Sequence, residues 1–201
     1  MANENQSGRA IQNRTLMLTQ MGVLTAIVVA LQVLAIVLRP LFPVFTISLV
    51  LIPIAIGAAL HGAKAGAWLG LTFGVAVLVS GDAALFMAFS IPGTLATVLV
   101  KGMLAGLAAG LVYRLVAGLG NKTLAATLAG IVCPIVNTGV FVIGSYVFFM
   151  PLISEWAGET NTTEFIFLGL IGVNFFVEVA INLVLTPVVV RILQLKSEKK
   201  I

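Results

Sequence analysis

Three polar residues recur at four-residue spacing in the last apolar segment of the chain. Asn174, Glu178 and Asn182 interrupt residues 165–193, which are otherwise compatible with hydrocarbon. On a helix this spacing places all three side chains on one face. A charged side chain at bilayer depth costs about 2.5 kcal/mol or more, so such groups usually line a site or pair with an opposite charge. The partner that we predict is Lys101, and the pattern therefore predicts a polar pocket between helices.

The composition is that of a membrane protein. The 201 residues are 60% hydrophobic and 9% charged, with a mean hydropathy of +1.16. Since a spanning helix needs about 20 apolar residues, we predict an all-α integral membrane protein with six transmembrane helices. Uninterrupted apolar runs such as 103–113 argue against a barrel, whose strands alternate. We expect a single membrane domain over residues 1–201, with short cytoplasmic tails at about 1–14 and 194–201.

The predicted spans are separated by short connectors rich in proline, glycine or charge. They cover residues 15–38, 49–60, 65–80, 94–116, 123–149 and 165–193. Pro53 is expected to bend the second span, because proline removes an intrahelical hydrogen bond. The connector 81–93 is apolar, and we expect it to fold over the mouth of the bundle rather than remain in water.

Small residues recur every four positions in three of the predicted spans. The stripes are Gly22, Ala26, Ala30 in the first span, Gly66, Gly70, Gly74 in the third, and Gly102, Gly106, Gly110 in the fourth. Stripes of this kind allow helix backbones to approach closely. We therefore expect them on packing surfaces.

The basic residues predict the orientation of the chain. With both termini in the cytoplasm, Arg39 alone lies outside and Lys101 lies within the membrane. The other basic residues then lie inside, as the positive-inside rule requires: Arg9, Arg14, Lys64, Arg114, Lys122, Arg191, Lys196, Lys199 and Lys200. The connectors that contain Asp82 and the acidic residues of 155–164 become external.

The polar residues of three spans fall at similar depths. At 1.5 Å per residue, Lys101 and Asn174 lie roughly 10 to 13 Å below the outer helix ends, and Asn137 and Glu178 roughly 20 Å. We predict that these four residues bind a substrate in a pocket open to the outside. Two alternatives stay open. Lys101 and Glu178 could form a purely structural pair, and the asparagine side chains could hold neighbouring helices together through hydrogen bonds. For Asn182, which lies deeper in the membrane than these four residues, we favour a role in holding helices together.

Several classes of function are not supported by the sequence. The basic residues occur singly and without interleaved aromatic residues, so we expect no nucleic-acid partner. The sequence contains no Walker A, HExxH or GxSxG motif, so we predict no enzyme activity of those kinds, no cofactor and no metal site. Energy for any active transport would have to come from another chain.

The chain resembles the substrate-binding S components of energy-coupling factor (ECF) vitamin transporters. The resemblance extends over all six predicted spans and includes the AxxxA motif at Ala26 and Ala30, the segment 52–58 that leads to Gly62, and the closing helix 174–187. It implies a binder of a water-soluble vitamin in the bacterial plasma membrane. It also implies that Gly22, Ala26 and Ala30 dock on a transmembrane coupling subunit driven by two cytoplasmic ATPase subunits.

The substrate and two rival functions stay open at this stage. Lys101 suits a ligand carboxylate, which favours an anionic vitamin such as pantothenate, whereas Glu178 leaves room for an amine-bearing ligand. One rival is a self-sufficient secondary transporter or channel in which Lys101 and Glu178 relay protons or ions. Inverted repeats would support this rival, but the two halves of the chain show no convincing similarity to each other. The other rival is an intramembrane enzyme that uses Glu178 as its acid or base. The sequence predicts no second carboxylate at the depth of Glu178 to assist such chemistry.

Overall fold

The fold is a bundle of helices of unequal length. The computed structural model describes residues 2–38 and 49–198, and the regular structure in these ranges is helical. The helices are α1 (Ala2–Leu38), α2 (Leu51–His61), α3 (Ala63–Val79), α4 (Ala84–Phe89), α5 (Ile91–Ala117), α6 (Lys122–Phe148), α7 (Met150–Ala157), α8 (Thr162–Glu164), a π-helix (Phe165–Ile171) and α9 (Gly172–Glu198).

Four of the described helices are long and apolar enough to cross a membrane. These segments are Arg14–Leu38, Ile91–Ala117, Lys122–Phe148 and Asn174–Arg191. By contrast, α2 has 11 residues and α3 has 17, and at 1.5 Å per residue α2 covers about half of a 30 Å hydrocarbon core. The all-helical class is therefore confirmed, whereas six full crossings and cytoplasmic termini stay predictions.

The short helix α2 lies at the centre of the bundle. It contacts α1, α3, α5, α6 and α9, and Leu51, Ile54, Ala55 and Ala58 are fully buried. Pro53 lies in the first turn of α2, so the reason for which we predicted a bend there does not apply. The amide groups of a first turn have no intrahelical acceptor, so proline removes no hydrogen bond there.

Helices α3 and α5 pack through the two predicted glycine stripes. A Cβ added at Gly66 would collide with the backbone oxygen of Gly106, and one added at Gly70 would collide with that of Gly102. The pairing runs in opposite directions along the two helices, as expected for an antiparallel pair. The close packing predicted from the stripes is confirmed, and α5 is thereby held firmly against α3.

The predicted last span is not one continuous helix. It is divided into the π-helix and α9 at Gly172, whose φ of 50° favours glycine. A π-helix has looser i→i+5 hydrogen bonding and is often found at functional sites. The division places Asn174 in the first turn of α9, just after the change of helix type.

Some predictions lie outside the described residues. Arg39, the connector 40–48 and the final residues 199–201 belong to this group.

The apolar connector 81–93 is described, and its helix α4 folds back on the bundle. The ring of Phe86 packs edge-on against Phe149, Phe141 and Trp156, with centroid distances of 4.9, 6.0 and 5.5 Å.

Candidate functional site

One cavity collects all four residues predicted to bind substrate. We call it the first cavity; it has a volume of about 170 Å³. Its walls come from α5, α6, the π-helix and α9, and are formed by Lys101, Asn137, Thr138, Phe141, Leu170, Ile171, Asn174, Phe175 and Glu178. The structure thus brings together the polar residues of three predicted spans, and it adds Thr138 and the aromatic residues Phe141 and Phe175.

Two of the helices that carry these side chains, α5 and α6, begin at a capping residue. The N-cap of α5 is Ser90, whose Oγ accepts a hydrogen bond from the Gly93 amide at 3.3 Å. The N-cap of α6 is Asn121, whose Oδ1 accepts from the Leu124 amide at 2.9 Å. Such caps satisfy amide groups that have no acceptor within the helix. They help to set the register in which Lys101 and Asn137 face the same cavity.

Lys101 lies close to two aromatic rings, and two carboxylates act on its charge. Its Nζ is 5.3 Å from the ring centroid of Phe141 and 5.9 Å from that of Phe73, distances at which a ring face attracts a cation. Asp82 and Glu178 both interact with it electrostatically. The pairing of Lys101 with Glu178 stays a prediction, and Asp82 is a second carboxylate whose charge acts on this ammonium.

Asn137 brings an unsatisfied hydrogen-bond acceptor to the wall of the first cavity. The residue is only 8% exposed, and its Oδ1 has no hydrogen-bond partner within the described part of the chain. A buried acceptor without a donor costs about 1 to 3 kcal/mol. A ligand hydroxyl or N–H group that reached Asn137 would remove this cost.

Asn182 has a different environment from the other polar residues of α9. It does not line the first cavity, and its Nδ2 donates a hydrogen bond to the Glu178 carbonyl at 2.9 Å. That bond lies within α9, so it does not join two helices as we expected. Glu178 itself is buried and lines the cavity.

The stripe of small residues on α1 is exposed. Gly22, Ala26 and Ala30 are all open, and a Cβ added at Gly22 would meet no atom within 4 Å. The buried residues of the same helix, Val28 and Gln32, lie on the other side of α1, as helical periodicity requires. The stripe thus lies on an uncovered surface rather than against the bundle.

The sequence reasoning missed two residues close to the site. Gln32 of α1 is 3% exposed, and its Nε2 donates a hydrogen bond to Asp82 Oδ2 at 3.2 Å. The sequence predicts an external connector around Asp82 and assigns no role to Gln32. The sequence signal that could have identified Gln32 is its side-chain amide within the apolar run 21–38. Polar groups inside a span usually have a polar partner on another helix or connector.

The first cavity offers charge and hydrogen bonds. Among the residues whose side chains the structure describes, no three His, Cys, Asp or Glu lie together as they would to hold a metal ion. Cys133 is fully buried, with its Sγ 3.8 Å from the Leu51 carbonyl oxygen, so it serves as a small packing residue. The arrangement is suited to holding a small polar molecule.

Comparison with known protein families gives a match over most of the chain. The family described as "ECF transporter, substrate-specific component" matches residues 16–190. No curated protein and no solved structure gave a significant match. The family match includes α1 and its exposed stripe, the central helices and the helix that carries Asn174 and Glu178. Because most of the chain is matched, the protein belongs to the substrate-specific components of ECF transporters.

Proposed function

We propose that this chain captures a water-soluble vitamin or related micronutrient from outside a bacterial cell, with a carboxylate-bearing molecule such as pantothenate favoured. The observation that carries the proposal is the first cavity, where Lys101, Asn137, Asn174 and Glu178 converge inside an apolar bundle. Transport would then depend on a coupling subunit and two ATPase subunits.

Lys101 is the proposed anchor for the ligand carboxylate. An ammonium group is a compact charge that attracts a carboxylate strongly where water is scarce. Asn137 Oδ1 would accept a hydrogen bond from a ligand hydroxyl or amide N–H, which also satisfies a buried acceptor. Glu178 would balance the charge of Lys101 before the ligand arrives, and it favours ligands that also carry hydrogen-bond donors.

The exposed stripe on α1 supports the proposal that this helix docks on a coupling subunit. Gly22, Ala26 and Ala30 form a smooth surface, and helices in lipid associate through small residues that allow backbones to approach. The distribution of basic residues supports cytoplasmic termini in the plasma membrane. In that orientation, the connector that contains Asp82 would lie on the outer side of the membrane.

The decisive experiment identifies the molecule and then tests how it is transported. The chain is purified, small molecules bound to it are extracted, and they are identified by mass spectrometry. Uptake of that molecule is then measured in vesicles with and without the coupling and ATPase subunits. Uptake only in the presence of ATP and these subunits supports the proposal. Uptake by the chain alone would favour the rival secondary transporter with a Lys101 and Glu178 relay.

A further inference from the structure

A second cavity adjoins the first at Lys101. It has a volume of about 210 Å³, and it shares Lys101 and Phe141 with the first cavity. Its other walls include Asp82, Thr97, Phe86 and Phe149, so it lies toward the segment between α3 and α5. The side chains of Lys101 and Phe141 therefore border both spaces.

One residue in the wall of the second cavity has a polar atom without a hydrogen-bond partner among the described residues. Thr97 is 4% exposed, and its Oγ1 has no hydrogen-bond partner in the portion of the chain that is described. Gly144 leaves the room that Thr97 occupies, since a Cβ there would collide with this hydroxyl. Each cavity is thus lined by a residue whose buried polar atom has no hydrogen-bond partner among the described residues, Thr97 Oγ1 for the second cavity and Asn137 Oδ1 for the first.

Neither cavity alone has the size of an ordinary ligand site. Typical sites for small molecules begin at about 300 Å³, which is larger than either the 170 Å³ of the first cavity or the 210 Å³ of the second. The two together exceed that limit. A ligand that filled both would also contact Lys101 from either side.

We propose that the two cavities form one elongated ligand site with Lys101 at its middle. This inference rests on the proposed function and specifies the class of substrate. The ligand would be a long molecule whose carboxylate lies near its middle and contacts the Lys101 ammonium, which narrows the class of carboxylate-bearing substrates proposed above. It would carry a hydroxyl or amine donor at each end, one for Asn137 and Glu178 and one for Thr97 and Asp82.

The walls of the second cavity define the arm that it receives. Phe86, Phe141 and Phe149 present aromatic surface, while Thr97 and Asp82 supply the polar groups. This combination suits a mainly apolar arm that ends in a donor, because apolar walls with a few placed polar groups set orientation and specificity. A compact carboxylate would occupy only one of the two cavities.

The test uses a variant that fills the second cavity and a matched control. Val98 lines that cavity, whereas Val100 on the same helix is 38% exposed. Full-length wild type, Val98→Phe and Val100→Phe are purified and incubated with the small-molecule extract of the expressing cells. Retained molecules are then quantified by mass spectrometry, and thermal unfolding is measured for each protein.

We expect Val98→Phe to retain roughly tenfold less of the molecule that wild type retains, while Val100→Phe retains as much as wild type. Undiminished retention by a folded Val98→Phe would overturn the elongated site and leave the proposed function standing. A wild-type chain that retains no molecule would overturn both.

A second variant keeps the test decisive if Val98→Phe does not fold. Thr97→Val keeps the shape of the side chain and removes only the hydroxyl. We expect it to weaken binding of the retained molecule by about two- to tenfold, as for the loss of one neutral hydrogen bond. Unchanged affinity of Thr97→Val would overturn the role of the second cavity.

Discussion

Gln32 and Asp82 join the first helix to the ligand cavities. The Gln32 amide donates a hydrogen bond of 3.2 Å to the Asp82 carboxylate, although the two residues are 50 positions apart. Asp82 lines the second cavity and interacts electrostatically with Lys101. Because Gln32 lies on the helix whose other side carries the exposed Ala26 and Ala30, this bond connects the proposed docking helix with the proposed ligand site.

We expect Gln32→Leu to lower the thermal stability of the purified chain. The substitution keeps most of the volume but leaves the carboxylate with one donor fewer, and a hydrogen bond to a charged group is worth about 1.5 to 3 kcal/mol. Thermal unfolding in detergent measures the change, with Val33→Leu at the adjacent, exposed position as the control.

A double-mutant cycle with Asp82→Asn isolates this contact. If the bond carries the effect, Gln32→Leu combined with Asp82→Asn will cost less than the sum of the two single changes. Additive losses would show that the two residues stabilise the chain independently.

We expect Lys101→Ala to weaken binding of a carboxylate ligand by about tenfold or more, on the basis of 1.5 to 3 kcal/mol for a charge-assisted hydrogen bond. Isothermal titration with the molecule found by copurification measures the affinity. Lys64→Ala provides the control, since Lys64 is exposed and lies at the start of α3. An affinity that did not change in Lys101→Ala would remove this residue from the site.

We expect Ala26→Trp and Ala30→Trp to keep ligand binding and to abolish uptake by the complete transporter. A bulky ring on the exposed stripe would hold the coupling subunit away, because close helix packing requires small residues. The control is Leu111→Trp, which places the same ring on an exposed part of α5. Loss of ligand binding in the α1 variants, or normal uptake, would contradict the docking role.

We expect Gly70→Ala to destabilise the chain by about 1 to 3 kcal/mol through overpacking, because the added Cβ collides with the Gly102 carbonyl. Gly139→Ala is the matched control within a helix, since no atom lies within 4 Å of a Cβ built there. Alanine favours helix over glycine, so this control should be neutral or stabilising. Chemical or thermal unfolding would distinguish the two; equal stability of both variants would contradict the α3 and α5 packing.

Local features allowed the sequence to predict much of the fold. The spans predicted at 94–116 and 123–149 correspond to Ile91–Ala117 and Lys122–Phe148, because long apolar runs, caps and glycines act within a few residues. The same reasoning selected Lys101, Asn137, Asn174 and Glu178, since polar groups inside apolar spans stand out in any sequence. Their presence in one cavity agrees with that selection, while their role in binding stays a prediction.

Only the tertiary structure decided which distant residues meet. The hydrogen bond from Gln32 to Asp82, the pairing of Gly70 with Gly102 and the second cavity at Lys101 all depend on the register of one helix against another. A sequence period gives the face of a helix but not its height or rotation relative to a neighbour. Those quantities arise from the packing of many side chains at once.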